Sequence, residues 1–148
     1  MAMGEISKRR LNMKIKLDAG AFAPKREHAT DAGLDIMSPV NTFVPAHGST
    51  VIDTGVHVEL PTGTVGLLKS KSGLNVKHGL VGEGVIDVGY TGSIKVKLYN
   101  HSDFEYQIGR GDKITQLVVA ACYFPDVEIV DSLEATERGN NGFGSTGR

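Results

Sequence analysis

Short stretches of alternating apolar and polar residues run through most of this sequence. In Val56–Leu60 and Ile94–Leu98 every second residue is aliphatic, which places the apolar side chains on one face of an extended chain. Turn signals rich in glycine and proline separate such stretches. The pattern predicts strands at Met13–Leu17, Thr42–Val44, Ser49–Ile52, Gly55–Leu60, Val65–Lys69, Ser93–Tyr99, Glu105–Ile108 and Lys113–Phe124. About eight short strands favour an all-β barrel or sandwich.

The longest apolar run, Ile114–Phe124, is predominantly apolar on both faces of an extended chain. Such a run is typical of a central strand or of a strand buried between subunits, and it is too short to span a bilayer. Its cysteine, Cys122, is expected to be a small buried packing residue. Only Leu74–His78 suggests a helical turn.

Length and composition exclude several classes of protein. The 148 residues suffice for one domain with one core. A formal net charge of −1 provides no overall field that would gather nucleic acid or an anionic membrane, so neither is predicted as a partner. One cysteine cannot form an internal disulfide, and the five scattered histidines lack the paired spacing of a zinc site.

The two ends of the chain differ from its middle. The basic cluster Lys8–Arg10 is not followed by the apolar core of a signal peptide, which predicts a cytoplasmic protein. We expect residues 1–12 to form a disordered leader, residues 13–132 the β-domain and residues 133–148 a flexible C-terminal arm.

Polar or glycine-rich islands interrupt the predicted strands. The first places Asp35 between apolar neighbours, where it is either a functional carboxylate or a turn residue bonded to nearby amides. The second places Lys71, Ser72 and Gly73 in succession just before the predicted helical turn. A cation, a hydroxyl and free amides can seat an anion, although a serine N-cap beside a solvated lysine explains them equally well.

Two further islands follow. In the third, Asp87 comes after two β-branched residues and Tyr90 three positions later. A carboxylate in that setting could act as a general base on a bound water, whereas the alternative is an ordinary hairpin capped by Asp87. The fourth places Gln116 inside an apolar strand, where its amide is either a hydrogen-bonding core residue or a ligand contact.

The C-terminal segment Arg138–Gly147 is rich in glycine but also carries an arginine, Phe143 and two hydroxyl residues. Such a segment buries too little surface to offset its backbone entropy of about 1–2 kcal/mol per residue. It predicts a flap that folds over a ligand, with a frayed terminus as the alternative.

The four islands and this segment, in their order and spacing, resemble the five motifs of the trimeric dUTPases over nearly all of Met13–Gly147. The resemblance implies a jelly-roll-type β-barrel and a homotrimer whose three active sites each use motifs from all three subunits. It also implies hydrolysis of dUTP to dUMP and pyrophosphate with Mg²⁺ as cofactor.

The resemblance assigns roles to individual residues. Asp87 would orient the water that attacks the α-phosphorus, Tyr90 would stack under the deoxyribose, and Asp35 would contact the metal through water. Backbone groups of the Leu80–Ile86 hairpin would read the uracil edge. The substrate-binding residues implied are Lys71, Ser72, Gly73, Gly84, Val85, Ile86, Tyr90, Gln116, Arg138, Phe143, Gly144, Ser145 and Thr146.

Two positions depart from the pattern. Lys71 stands where the family usually has arginine, and it lacks the bidentate fork that fits phosphate. Glu83 stands in the hairpin where a small residue is common, and we expect its side chain to point to solvent.

Alternative functions on the same fold are a dCTP deaminase-type enzyme and a nucleotide-switched regulatory protein, although nothing in the sequence supports a regulatory protein partner. A purely structural jelly-roll subunit would not explain five ligand-type islands.

Overall fold

The computed structural model describes residues 11–147 and consists mainly of β-strands, which confirms the all-β expectation. Most of the predicted leader, residues 1–10, lies outside the described residues. In chain order the elements are β1 (Lys14–Leu17), β2 (Gly33–Met37), β3 (Thr42–Val44), β4 (Ser49–Asp53), β5 (Val56–Glu59), β6 (Thr64–Lys69), α1 (Ser72–His78), β7 (Leu80–Val81), β8 (Gly84–Ile86), β9 (Lys95–Asn100), β10 (Tyr106–Ile108) and β11 (Lys113–Ala121).

The strands pair antiparallel in four hydrogen-bonded sheets. The largest has the order β2-β11-β6-β8, and the second the order β4-β9-β7. Two further sheets consist of the pairs β1-β5 and β10-β3. Within residues 11–147 these sheets enclose a shared core but do not join into one closed, continuously hydrogen-bonded barrel.

The fully buried apolar residues of the core are all aliphatic. β-branched and leucine side chains fill the space between pleated sheets, and burying each of them contributes about 1.5–3 kcal/mol. The buried apolar residues are Ile36, Val44, Ile52, Val56, Val58, Leu60, Leu68, Leu80, Ile86, Ile94, Val96, Leu98, Ile108, Ile114 and Leu117. Alternation along β9, whose side chains are exposed and buried in turn, is the pattern that the sequence predicted.

The sequence missed three strands and extended one too far. β2 carries Asp35 among apolar residues, and β7 and β8 are two and three residues long, so none of them shows a clear period of two. β11 is the central strand predicted, but it ends at Ala121 rather than Phe124. Cys122 is only half-buried because it lies beyond the end of that strand, so the prediction of a buried packing residue was wrong.

The helical turn predicted at Leu74–His78 is the C-terminal part of α1. The helix ends at Gly79, whose left-handed conformation (φ 66°) lets its N–H donate to the Asn75 carbonyl at 2.9 Å. In the part of the chain described, no helix has the length and apolar character needed to cross a lipid bilayer.

One buried polar residue ties the ends of several strands together. The Asn100 side chain is 1 % exposed, and its amide nitrogen donates to the carbonyls of Val44 at 3.2 Å and Phe104 at 2.8 Å. Its amide oxygen accepts from the backbone N–H and the hydroxyl of Ser102, at 2.9 and 2.7 Å. The amide therefore satisfies four hydrogen bonds in the dry interior.

We expect Asn100→Asp to lower the free energy of unfolding at pH 7 by about 2–4 kcal/mol, because a carboxylate cannot donate to two carbonyls and carries a charge into the core. Urea unfolding measures the change. Lys97→Gln on the same strand, where the side chain is exposed, is the control and should change stability by less than about 0.5 kcal/mol. Equal effects of the two substitutions would contradict this account of Asn100.

Candidate active site

The central strand β11 brings three of the four polar islands together. Gln116 lies opposite Asp35 of β2 on one side and opposite Lys69 of β6 on the other. Lys71 and Ser72 follow β6 directly. Islands that are far apart in sequence therefore converge at one end of the largest sheet, and they line a cavity of about 400 Å³.

The Gln116 side chain fits this site because Gly33 faces it without a side chain. A Cβ at Gly33 would come within 2.3 Å of the Gln116 amide oxygen. The Gln116 amide nitrogen donates to the Ser70 carbonyl at 3.1 Å. Gln116 therefore holds the loop after β6 in place with one of its two N–H groups, and it remains at the cavity wall.

Asp35 is almost fully buried, with 5 % of its surface exposed, and two lysines neutralise it. Lys71 Nζ lies 2.5 Å from Oδ1 and Lys113 Nζ lies 3.3 Å from Oδ2. A buried carboxylate requires such partners, since burying an unpaired charge is very costly. The pairing places both ammonium groups beside the cavity.

Lys113 connects this pair to a second carboxylate, that of Glu27. The Lys113 ammonium lies 3.1 Å from Glu27 Oε2, and Lys25 lies 3.4 Å from the same oxygen. Hydrogen bonding to Glu27, and then to Asp35, raises the pKa of Lys113. Bonds from Lys113 and Lys25 lower the pKa of Glu27. Sequence reasoning missed Lys113 and Glu27 because neither stands in a distinctive motif and they are 86 positions apart.

The donor set suits a water-mediated magnesium contact better than a protein cage. Within residues 11–147 no three histidine, cysteine or carboxylate side chains lie close enough to hold a metal ion by themselves. Mg²⁺ commonly keeps several waters and binds through one or two carboxylates and substrate phosphates. Asp35 fits that role, although direct coordination would have to displace Lys71 or Lys113.

Glu83 is exposed, as expected, and nearby groups also donate to its carboxylate. Its Oε1 accepts from the Ser70 backbone N–H at 3.1 Å and the Ser70 hydroxyl at 2.8 Å, and its Oε2 lies 2.7 Å from Lys69 Nζ. The Lys69 contact is the main reason that the pKa of Glu83 is lowered. The Ser70 hydroxyl also accepts from the Gly82 N–H at 3.1 Å. These bonds fasten the loop after β6 to the segment between β7 and β8. That segment is not the hairpin predicted at Leu80–Ile86, because β7 pairs with β9 and β8 pairs with β6.

The third island forms a strand and a tight turn at a different place. In β8, Gly84 and Val85 are accessible while Ile86 is buried. Asp87 follows at the start of a turn, with the Tyr90 N–H donating to its carbonyl oxygen at 3.0 Å. The Asp87 carboxylate is exposed, and among residues 11–147 no hydrogen bond engages it.

The Tyr90 ring is held by its own loop. Its hydroxyl donates to the Ser93 carbonyl at 2.8 Å. The ring lies against Gly92, where a Cβ would come within 2.6 Å of ring atoms. Glycine at this position therefore leaves room for the Tyr90 ring beside the turn that carries Asp87.

The C-terminal segment bonds to itself. Arg138 Nε donates to the Asn141 carbonyl at 2.8 Å, and successive turns are closed by the N–H groups of Ser145 and Gly147. Phe143 is fully exposed and has a positive φ of 52°, a conformation uncommon for a residue with a side chain. Over residues 134–147 the hydrogen bonds stay within the segment.

One copy of the chain thus carries the candidate residues in three places. Asp35, Lys71, Ser72 and Gln116 share one cavity. The Asp87–Tyr90 turn and the C-terminal segment do not line that cavity. A site that uses all of them needs either a rearrangement of one chain or contributions from several copies.

Comparison with known proteins gives the same family at every level. The family model described as dUTPase matches residues 20–147. A probable deoxyuridine 5'-triphosphate nucleotidohydrolase of Schizosaccharomyces pombe is 43% identical over 133 residues, covering 89% of this chain and 95% of its own length. The deoxyuridine 5'-triphosphate nucleotidohydrolase of Arabidopsis thaliana is 44% identical over 133 residues, covering 89% of this chain and 80% of its own.

Solved structures agree. The dUTPase of Staphylococcus bacteriophage 80alpha, solved with dUpNHpp, superimposes with a TM-score of 0.86 at 33% identity and covers 93% of this chain and 99% of its own. A mutant dUTPase from phage phi11 of S. aureus, described as revealing the coordination of a structural Mg(II) ion, has a TM-score of 0.78 at 32% identity over 84% of this chain and 100% of its own. The chain therefore belongs to the dUTPase family.

Proposed function

We propose that this chain hydrolyses dUTP to dUMP and pyrophosphate, limiting uracil in DNA and supplying dUMP. Its family, its relatives named nucleotidohydrolases and the phage enzymes solved with a dUTP analogue support this activity. The observation that carries the proposal is the exposed Asp87 carboxylate, which lies on a tight turn beside Tyr90 and is free to bind a water molecule.

The Asp87–Tyr90 turn binds the attacking water and contacts the deoxyribose. Asp87 accepts a proton from water and aims its oxygen at the α-phosphorus; because the carboxylate has no competing donor within residues 11–147, it is available for this role. Tyr90 offers a flat ring for the deoxyribose. Backbone groups of Gly84, Val85 and Ile86 read the uracil edge from the adjoining strand.

The cavity beside Asp35 receives the phosphates. Lys71 and Gln116 line it together with Ser72, and the adjacent Gly73 has open space around its Cα. Mg²⁺ bound to the triphosphate would neutralise charge on the phosphate oxygens, with Asp35 contacting it through water. The lysine ammonium groups, already oriented by Asp35, stabilise negative charge without further reorganisation.

The C-terminal segment closes the site. Phe143 stacks on the uracil and Arg138 holds the γ-phosphate, while Gly144, Ser145 and Thr146 donate to phosphate oxygens. Four of these five residues, Arg138, Gly144, Ser145 and Thr146, line a shared concavity, and Phe143 lies outside it. Closure excludes bulk water during the reaction, and its ordering entropy is offset only when the triphosphate is bound.

The three separate groups of residues support a homotrimer with shared sites, each built from the cavity of one copy, the turn of a second and the C-terminal segment of a third. Exposed apolar side chains that follow β11 also favour burial against another copy. They are Tyr123, Phe124, Val127, Ile129 and Leu133. We place the activity in the cytoplasm, which suits a chain whose one thiol, Cys122, is free.

Neither the deaminase nor the regulatory alternative is favoured, because the relatives are named nucleotidohydrolases.

We expect the purified chain to release pyrophosphate from dUTP in Mg²⁺, and far less from dTTP, dCTP and UTP. Asp87→Asn should lower kcat by about 10²-fold or more, since an amide cannot take the proton. Asp103→Asn, at another exposed aspartate, is the matched control and should stay active. Ammonia release from dCTP, or dUTP binding without turnover, would refute the proposal.

Lys71→Arg should lower KM for dUTP by roughly three- to tenfold, because a guanidinium can bind phosphate in bidentate fashion and still pair with Asp35. Lys71→Met should raise KM, because it removes a cation from the cavity. Steady-state kinetics at two salt concentrations measures both changes. Unchanged KM and kcat in Lys71→Arg would contradict the expected advantage of a guanidinium fork, and unchanged KM in Lys71→Met would show that this lysine does not bind phosphate.

Shared sites predict complementation between two inactive variants. Asp87→Asn and Arg138→Ala disable different parts of the site, which lie on different copies in the proposed trimer. When the two are unfolded together and refolded as a mixture, about one quarter of the sites should combine both intact residues. Activity of the mixture above that of either variant alone supports sharing. No recovery, with mixed trimers verified by mass spectrometry, would show that each copy works alone.

A further inference from the structure

The ring of His57 lies between two hydrogen-bond acceptors. Nδ1 faces the Thr91 carbonyl oxygen at 2.8 Å, and Nε2 faces Asp18 Oδ2 at 3.0 Å. The histidine side chain is 19% exposed, so the contacts are partly shielded from water. A neutral imidazole donates from one nitrogen only, whereas both donate in the protonated ring. Both contacts are hydrogen bonds at the same time only in the imidazolium form.

The surrounding charges favour that form on balance. The hydrogen bond to Asp18, followed by the one to the Thr91 backbone, raises the pKa of His57 above its ordinary value of 6.5. The charged groups around the ring are Asp18 after β1, Asp53 at the end of β4, the opposing Lys16 of β1 and, farther along β1 and β5, the Lys14–Glu59 ion pair at 3.4 Å.

Thr91 belongs to the loop that carries the proposed catalytic turn. Its neighbour Tyr90 is bonded to the Asp87 carbonyl through its N–H. On the other side, the Ser93 hydroxyl donates to Asp53 and accepts from the Gly55 N–H at 3.0 Å. The contacts of Thr91 with His57 and of Ser93 with Asp53 and Gly55 all join this loop to the β4–β5 region.

We propose that protonated His57 is a positioning residue that tethers the Thr91 carbonyl and thereby fixes Tyr90 and Asp87 for substrate. The inference rests on the proposed function only in its kinetic consequence. His57 touches neither the candidate cavity nor the exposed Asp87 carboxylate, and it acts through the backbone of the loop.

The sign of the pH dependence follows from the raised pKa. The tether is complete below about pH 6.5 and is lost as the pH rises through the folded-state pKa of His57, which lies above that value. After deprotonation one ring nitrogen presents a lone pair to an acceptor at hydrogen-bond distance. The contact to that acceptor then becomes repulsive, and the loop loses its attachment to His57 while the Ser93 bonds to Asp53 and Gly55 stay.

Two substitutions separate the two contacts. The amide nitrogen of asparagine can occupy about the position of Nδ1, and that of glutamine about the position of Nε2. In the unsubstituted protein we expect KM for dUTP to rise as the pH passes the pKa of His57. His57→Asn should keep the Thr91 bond without a titrating group, so its KM should be near native and should not rise with pH. His57→Gln should keep Asp18 but lose Thr91, with KM raised roughly three- to tenfold at pH 6 and kcat within about twofold. His101→Asn, at an exposed histidine, is the control.

A ¹⁵N NMR titration of the unliganded protein tests the tether without reference to catalysis. We expect both His57 nitrogens to carry protons at pH 6, and the amide signals of Tyr90, Thr91 and Gly92 to move with the His57 titration. Those signals should not titrate with this pKa in His57→Asn. Failure of dUTP hydrolysis would leave the NMR result intact and count against the proposed function alone. Amide signals of the loop that do not shift with the His57 titration would overturn the inference. Equal KM values in His57→Asn and His57→Gln, with only stability changed, would also overturn it.

Discussion

The pairing of strand β11 with β2 on one side and β6 on the other is the constraint on which the candidate site depends. It sets Gln116 opposite both Asp35 and Lys69, and it makes the chain that leaves β6 pass beside Asp35. A slip of one residue in either register would turn Asp35 and Gln116 to opposite faces of the sheet. The aliphatic core specifies the register, because one face of each strand must be buried. Packing and chemistry are therefore set by the same hydrogen bonds.

Charge within the cavity is arranged before any ligand arrives. The buried Asp35 carboxylate has little contact with water and is paired instead with Lys71 and Lys113. Lys113 is also paired with Glu27, and Glu27 with Lys25, so that charges of opposite sign alternate towards the surface. A triphosphate that enters can therefore meet oriented ammonium groups instead of solvated, disordered ones. The same arrangement restricts the flexible Lys71 side chain, because Asp35 holds its ammonium group beside the cavity.

Sequence reasoning predicted the all-β class, the long central strand and most strands with alternating residues, because a half-buried strand leaves a period of two in the sequence. It missed β2, where an aspartate interrupts the apolar residues, and β7 and β8, which are too short to show a period of two. Asp35, Lys71 and Gln116 line one cavity, and their assigned roles in ligand binding stay predictions. The roles of Glu83 and Lys113 depend on partners distant in sequence, and pairing of that kind leaves no local pattern. The catalytic assignments of Asp87 and the C-terminal residues stay predictions.

The aliphatic core has an optical consequence. The chain contains no tryptophan, and three of its four tyrosines, Tyr90, Tyr99 and Tyr123, are exposed at the surface. Loosening of the interior therefore changes the surroundings of few chromophores. Tyr90 and Phe143, by contrast, lie on the two segments proposed to meet around a ligand. Ultraviolet absorption and intrinsic emission of this protein would consequently report mainly events at its surface, and Tyr106, which packs against the core, is the tyrosine that reports on the interior.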